Sequence, residues 1–370
     1  MDHIEQGIDA LLALAPYSLP AEEKTRRLLD VWRLELDYTC QKHAGLRNYI
    51  EQWPVNFRNA TTVADLPYLP VALLKANPPL SLVDNAEIKR TLTSSATTGQ
   101  IPSRIVIDAQ TSRRMTKGVI AILQDFIGSA RRPYLVVDMP GAVGSKTEMG
   151  ARGAAIQGLQ PFASEITYCL RAEANGDPVL ERDKLLQFAQ KHANASVLVY
   201  GFTYMLWNHQ AKPLLDAGEC LNLPNVHILH SGGWKRLQHL SVDKRVFNEG
   251  LGKVFGCAPE RVMDFYGLVE NVGVIYPDCK EGNKHSPVFG EVIVRNPLTL
   301  APCGPGESGL IQVCSVLPTS FPGHHLLTED LAEVIALDGC ACGRRGIAFR
   351  FKGRAPKAEV RGCGNIQVGR

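Results

Sequence analysis

Two groups of residues carry enough chemistry to organise the reading. The run Thr93-Ser94-Ser95-Ala96-Thr97-Thr98-Gly99-Gln100 puts five hydroxyls and a glycine into one short segment before a strand-like stretch. Hydroxyls and successive backbone amides donate to anionic oxygens without a fixed positive charge, so such a loop can wrap a phosphate chain. A Ser/Thr-rich surface loop is the plainer alternative. The second group is Cys279, His285, Cys340 and Cys342, which reads as Cys-x5-His and Cys-x-Cys on turns. Three thiolates and one imidazole leave no coordination position for water, which describes a closed, structural Zn2+ site of tetrahedral geometry. Four unrelated reduced side chains are the competing reading. Two further patterns carry less. Gly304-Pro305-Gly306-Glu307-Ser308-Gly309 matches G-x-G-x-x-G but runs into a strand instead of opening a helix, so it is expected to be a turn. His324-His325 has no cysteine or carboxylate at ligand spacing and is expected to be a loop pair near the active site.

The elements that must position these groups follow from periodicity. Ile8, Leu11 and Leu12, then Leu28, Leu29, Trp32 and Leu36, recur at helical spacing on either side of Pro20, predicting a helical cap over residues 1–65. Between Pro67 and Pro79 each proline turns its predecessor away from helix, so an extended stretch is expected. From residue 104 onward short β-branched runs alternate with helical ones. Strands are expected at Arg104–Ile107, Tyr134–Asp138, Ser196–Tyr200, Val226–His230 and Val262–Phe265, with helices at Ser112–Ile127, Arg182–His192 and Val242–Phe255. Alternation of that kind predicts an α/β fold with a parallel sheet covered on both faces, here a body over 66–270. Val288–Val294, Leu310–Val316, Leu331–Leu337 and Ile347–Phe351 are instead joined by Gly/Pro turns, predicting a small antiparallel, zinc-containing subdomain over 271–352 and a tail over 353–370.

Composition narrows the function classes. The chain has 370 residues, 45% hydrophobic and 21% charged, with 40 Lys+Arg against 37 Asp+Glu. A net charge of +3 without charge blocks gives no electrostatic footprint for nucleic acid. The apolar run Leu11–Ala15 is too short for a signal peptide or a membrane span, and ten cysteines without a secretory signal point to reduced thiols, so a cytoplasmic protein without membrane partners is expected.

Thr93–Gln100 resembles the phosphate-binding loop of the adenylate-forming superfamily, and the later motifs of that superfamily follow in order. Asp264-Phe265-Tyr266-Gly267-Leu268-Val269-Glu270 resembles its Tyr-Gly-x-x-Glu motif, Ser231-Gly232-Gly233-Trp234-Lys235 its adenine loop, Thr328-Glu329-Asp330 its Thr-Gly-Asp, and Gly353-Arg354 its Gly-Arg. Taken singly, Tyr266 reads as core, Glu270 and Asp330 as solvated carboxylates and Arg354 as a surface charge. Their order from Thr93 to Arg354 favours the site. Ala96 departs from the pattern, placing a methyl group where the family has glycine.

Within the superfamily the chain resembles the LuxE-type acyl-protein synthetases, to which the phenylacetate-CoA ligases are also similar. The resemblance is carried by Leu66–Val71, Ser94–Ile105, Ala151–Ala155, Leu317–His324, Leu327–Asp330 and Gly353–Cys363. It implies ATP- and Mg2+-dependent activation of a fatty or aryl carboxylic acid to an acyl-adenylate, followed by transfer to a thiol. Residues 93–100 would hold phosphates, Gly232, Gly233 and Tyr266 the adenine, Asp330 the ribose, Glu270 the Mg2+, and Arg354 would close on the nucleotide. The resemblance to phenylacetate-type ligases also supports zinc at the Cys/His quartet. Arg354 is followed by 16 residues where the superfamily carries a mobile C-terminal domain with a catalytic lysine. A body lacking that domain is therefore expected, and the spacing does not choose between Lys352 and Lys357 as a substitute.

By the same resemblance Cys363, in Arg361-Gly362-Cys363-Gly364, is the residue that takes the acyl group before a partner protein, a reductase or a carrier protein, receives it. The chemistry agrees, since a thiolate is a strong nucleophile, Arg361 would lower its pKa and the flanking glycines would let the strand move. An apolar residue on a frayed terminus is the alternative. Two other functions stay open: a ligase acylating CoA or a carrier protein directly, and a nucleotide-binding partner subunit without turnover.

Overall fold

The computed structural model describes residues 1–94, 101–143, 151–174, 176–234 and 239–355. Elements are numbered in chain order. Helices α1 (Asp2–Leu12), α2 (Ala21–Lys42) and α3 (Ala44–Glu51) form the N-terminal part, with Pro20 as the N-cap of α2. α1 buries Ile4, Ile8, Leu11 and Leu12, one helical stripe, and α2 buries Leu28, Trp32, Leu36 and their neighbours. These stripes share one hydrophobic core with Phe289, Val292, Val313, Leu326 and Phe349 of the C-terminal part, so chain segments far apart in sequence close on one another.

A mixed six-stranded sheet forms the α/β body. Its strands are β4 (Arg132–Val136), β5 (Ala163–Tyr168), β8 (Val197–Phe202), β9 (Val226–Ser231), β10 (Val262–Gly267) and β11 (Ile275–Pro277), ordered β11-β10-β9-β8-β4-β5. All neighbours run parallel except β10 and β11. Every residue of β8 is buried, as expected for a strand covered on both faces. The covering helices are α4 (Ala109–Ile127), α5 (Ala151–Gly158), α6 (Arg182–Lys191), α7 (Thr203–Met205) running through a π-helical turn at Leu206–Ala211 into α8 (Lys212–Asp216), and α9 (Lys244–Phe255). Asp108 caps α4 by accepting from Thr111 N at 2.7 Å, and Gly256 stops α9 in the left-handed region at φ +72°.

Arg104–Ile107 departs from its expected place in the parallel sheet. It is β3, paired antiparallel with β2 (Arg90–Thr93) in a separate two-stranded hairpin. A strand of four residues with three buried carries the same local signal in either setting, and only pairing distinguishes them. β6 (Leu170–Ala172) and β7 (Pro178–Leu180) form a second small ribbon.

The C-terminal sheet contains β12 (Lys284–His285), β13 (Gly290–Arg295), β14 (Ser308–Ser315), β15 (His325–Leu337) and β16 (Ile347–Arg354), ordered β12-β16-β15-β14-β13, with β1 (Leu69–Pro70) parallel to β15. All pairs except β1/β15 are antiparallel. Gly304–Glu307 makes the turn expected before β14, with Gly306 at φ +84°, and Ser308 and Gly309 already belong to that strand. Among the described residues no helix is long and apolar enough to cross a membrane.

Candidate active site and metal cluster

The two sheets meet where Tyr266 reaches Asp330. Tyr266, the penultimate residue of β10, donates from its hydroxyl to Asp330 Oδ2 at 2.9 Å. Asp330 lies in the middle of β15 and faces Arg354 across the ladder, with Arg354 Nε 3.6 Å from Asp330 Oδ1. Burial pushes the Asp330 carboxyl above its ordinary range, against the Tyr266 hydrogen bond and the Arg354 guanidinium, which favour the charged form. Glu329 and Glu270 add to the upward push. Glu270 itself is buried, three residues past the end of β10. The chain therefore brings Tyr266, Asp330, Arg354 and Glu270 into one neighbourhood.

The Tyr266 ring is 7% exposed and lies between two aromatic neighbours. Phe351 of β16 stacks on it at 4.7 Å and 24°, and Tyr276 of β11 at 5.9 Å and 27°. Phe351 keeps 37% of its surface exposed, so it is the ring of this stack that faces outward. Next to Tyr266, β9 ends at Ser231 and the chain turns through Gly232 (φ +82°) and Gly233 (φ +55°). A Cβ at Gly232 would meet the Phe202 ring at 3.2 Å, whereas Gly233 faces open space. Bare backbone is thus presented beside the Tyr266 strand.

Thr93 closes β2 and is exposed. Ser94 and Ser103 then tie the base of the hairpin loop, Ser94 N donating to Ser103 O at 3.1 Å and Ser103 N to Ser94 Oγ at 2.9 Å. Ser95, Ala96, Thr97, Thr98, Gly99 and Gln100 lie outside the described residues, and so does Cys363.

Cys279, His285, Cys340 and Cys342 converge. Their ligand atoms lie within 4.8 Å of one another, with Cys279 Sγ 4.0 Å from Cys340 Sγ and Cys342 Sγ 3.3 Å from His285 Nε2. Cys279 lies in the loop between β11 and β12 and His285 ends β12, while Cys340 and Cys342 lie in the turn between β15 and β16. Donors already face the sulfurs: Asn283 Nδ2 reaches Cys340 Sγ and the Arg344 backbone N–H reaches Cys342 Sγ, each at 3.5 Å. Burial works to raise the Cys340 thiol, but Asn283 and the neighbouring cluster donors outweigh it, and the thiol sits below its ordinary range. Burial lowers the His285 imidazole to about 4, leaving the neutral form that ligates metals. The cluster could hold a metal ion.

His324 lies in the bend that leads into β15, as expected of a loop residue, whereas His325 is that strand's first residue. Both are buried beneath α2, His324 Nδ1 3.4 Å from Glu35 Oε2 and the His325 ring 4.5 Å from the Trp32 ring. Three residues had no separate signal in the sequence: Phe351, Asn283 and Lys284. The last two immediately precede His285 in Asn283-Lys284-His285, and that proximity to a candidate ligand was the one available clue.

Comparison with known proteins agrees with this architecture. Residues 5–368 match the family described as Acyl-protein synthetase, LuxE. A "Long-chain-fatty-acid--luciferin-component ligase" of Vibrio harveyi is 29% identical over 141 residues, 38% of this chain and 36% of that protein. The protein of the same description from Aliivibrio fischeri is 27% identical over 153 residues, 40% of this chain and 39% of that one. The matched stretch therefore spans less than two-fifths of the length of either curated relative. Among solved structures, an open conformation of 2-hydroxyisobutyryl-CoA ligase in complex with 2-HIB-AMP and CoA superposes with a TM-score of 0.66 at 16% identity, over 91% of this chain and 76% of that one. At that identity the likeness shows the fold.

Proposed function

The chain belongs to the acyl-protein synthetase family, LuxE, and from that premise we propose that it activates a carboxylic acid, fatty or aryl, with ATP and passes the acyl group to a thiol. The observation that carries the reading is the junction of the two sheets, where Tyr266, Asp330 and Arg354 are joined by one hydrogen bond and one ion pair beside the bare backbone of Gly232 and Gly233. A carboxylate, an aromatic stack and a cation at the rim are the parts a nucleotide cleft needs. The acid's carboxylate attacks the α-phosphorus of ATP, forming the acyl-adenylate and releasing pyrophosphate. A thiolate then attacks the acyl carbon and AMP leaves with the bonding electrons.

In this reading Thr93–Gln100 donate to the phosphates, Gly232, Gly233 and the Tyr266/Phe351 stack flank the adenine, Asp330 accepts from the ribose hydroxyls, and Arg354 closes on the nucleotide. Glu270 would hold Mg2+, which neutralises charge on the transferring phosphate. Cys279, His285, Cys340 and Cys342 would hold Zn2+ in a structural role. A tetrahedral centre with Zn–S bonds of about 2.3 Å has ligand edges of about 3.8 Å, and the 4.0 Å and 3.3 Å separations support that fit. Cys363 is the proposed first acceptor and a reductase or carrier protein the second.

Acid-dependent exchange of pyrophosphate into ATP tests the first half-reaction; its absence would favour a nucleotide-binding subunit without turnover. Incubation with ATP, Mg2+ and a labelled acid then tests the second. A hydroxylamine-sensitive adduct on the Cys363 peptide, lost in Cys363→Ser while exchange persists, is expected. Equal acylation of CoA or a carrier protein by Cys363→Ser would instead make the chain a direct acid-thiol ligase.

A further inference from the structure

Lys284 is a cation in an unusual place. It is 2% exposed, one residue before the candidate ligand His285, and its ammonium reaches the antiparallel β10/β11 edge of the mixed sheet. There it donates to Asp264 Oδ2 at 3.0 Å, to the Asp264 carbonyl at 3.1 Å and to the Tyr276 carbonyl at 3.2 Å, and it lies 3.1 Å from Asp278 Oδ1. All three of its N–H bonds are used on β10 and β11. An ammonium withdrawn from water carries a desolvation cost, and apolar packing of similar volume commonly stabilises as well. Folding alone gives little reason for a lysine here.

The acceptors supply a reason. Asp264 lies two residues before Tyr266, and its second oxygen is 3.6 Å from His230 Nδ1. His230 is the register partner of Asp264 on β9 and lies two residues before Gly232. Thr203 Oγ1 approaches the same imidazole nitrogen at 3.0 Å. The two strands that deliver Tyr266 and the Gly232-Gly233 backbone are thus joined, just before they end, through Asp264, and Lys284 fixes Asp264 by both its side chain and its carbonyl. On the far side Asp278 is held by Lys244 of α9 at 2.7 Å.

We propose that Lys284 is a positioning residue for nucleotide binding: by holding Asp264 it sets the spacing between the ends of β9 and β10, and so governs ATP affinity without touching ATP. The inference rests on the nucleotide reading given above. It also gives the Cys/His hairpin a second consequence, because Lys284 and Asp278 each adjoin a member of the cluster, His285 and Cys279. Order in the hairpin is transmitted to the cleft through one ammonium.

The test uses the full chain and three variants. Lys284→Met removes the cation and leaves Asp264 uncompensated, so it could fail to fold. Lys284→Met/Asp264→Asn removes both charges and keeps the volume. Asp330→Ala serves as a probe of the nucleotide reading itself. ATP affinity is measured by calorimetry, folding by circular dichroism, and adenylation by acid-dependent exchange. The folded Lys284 variants are expected to bind ATP roughly tenfold more weakly, with KM for ATP raised and kcat at saturating ATP close to the parent value in Lys284→Met. A folded variant that binds ATP like the parent overturns the proposal, since the lysine would then serve stability alone. If the double variant folds and binds normally while the single one unfolds, the same conclusion follows. Failure of the parent chain to bind ATP, or binding indifferent to Asp330→Ala, would bring down the nucleotide reading instead, which is a different outcome from normal affinity in the Lys284 variants.

Discussion

The Cys/His quartet and the proposed nucleotide cleft lie in neighbouring parts of the molecule and are built in opposite ways. In the quartet, four ligand atoms stand within 4.8 Å of one another, delivered by two short turns, and Asn283 and a backbone N–H already face the sulfurs. In the cleft, Tyr266, Asp330 and Arg354 come from three strands of two sheets and touch through one hydrogen bond and one ion pair. The Asp330 side chain is 9% exposed there, but that of Arg354 is 64% exposed. A point-like ligand with fixed short bonds needs all its contacts in one place, so turns a few residues long can assemble them. An extended ligand that enters and leaves needs an open rim, where exposed cations contribute little until the ligand arrives.

Breaking the closed region should have the largest effect. Cys340→Ser removes one sulfur from the quartet, and the loop between β11 and β12 loses its tie to the turn before β16. Elemental analysis of the parent chain is expected to find one zinc per chain, and the variant or a strong chelator should lower Tm by roughly 10 °C or more. A metal-free parent chain with an unchanged melt would remove the distinction between the two regions.

The open region should respond more specifically. Asp330→Ala removes acceptors for the ligand and leaves the Tyr266 hydroxyl without its partner. Weakening of ATP binding by roughly 10- to 100-fold is expected, corresponding to charged hydrogen bonds of about 1.5–3 kcal/mol. Glu270→Ala should act on turnover, lowering kcat with a smaller change in ATP affinity and altering the Mg2+ requirement. Identical kinetic defects in the two variants would show that the pair acts as one structural unit.

Much of this contrast was legible in the chain itself. The strands β8, β9 and β10 appear as β-branched and apolar runs, whereas α4 and α9 start at Ala109 and Lys244, behind the caps Asp108 and Asp243, and not at the expected Ser112 and Val242. The quartet was legible because soft ligands are scarce and its spacing is short. The cleft motifs were legible only through resemblance, since Tyr266 and Asp330 are 64 positions apart and no local period links them. Arg104–Ile107 was misplaced because a strand's partner is not written in its own residues. The burial of His324 and His325 was not legible because their neighbours, Glu35 and Trp32, come from α2, some 290 positions away. Lys284 escaped notice for a related reason: its partners come from β10 and from the residues around β11, and alone it reads as a surface charge.

The smallest expected effect is also the sharpest probe of how the two sheets cooperate. Tyr266→Phe keeps the ring between Phe351 and Tyr276 and deletes only the hydroxyl that donates to Asp330 at 2.9 Å. That hydrogen bond favours the ionised carboxylate, while burial disfavours it and already holds the group above its ordinary range. Without the hydroxyl the Asp330 pKa rises further. If the ribose is bound by the charged form, ATP affinity is lost as pH falls through this pKa, so the acid limb of the affinity profile should move to higher pH in the variant. Well above that limb the loss should be only about 1 kcal/mol, or roughly fivefold. Arg354 sets a bound on the shift, because its guanidinium, 3.6 Å from the other oxygen, also favours the charged form. Calorimetric titration with ATP across the acid range measures the limb in both proteins. A limb that stays in place while affinity drops uniformly would mean that the hydroxyl only holds Asp330 in position and that the hydrogen bond between the sheets does not tune the carboxylate.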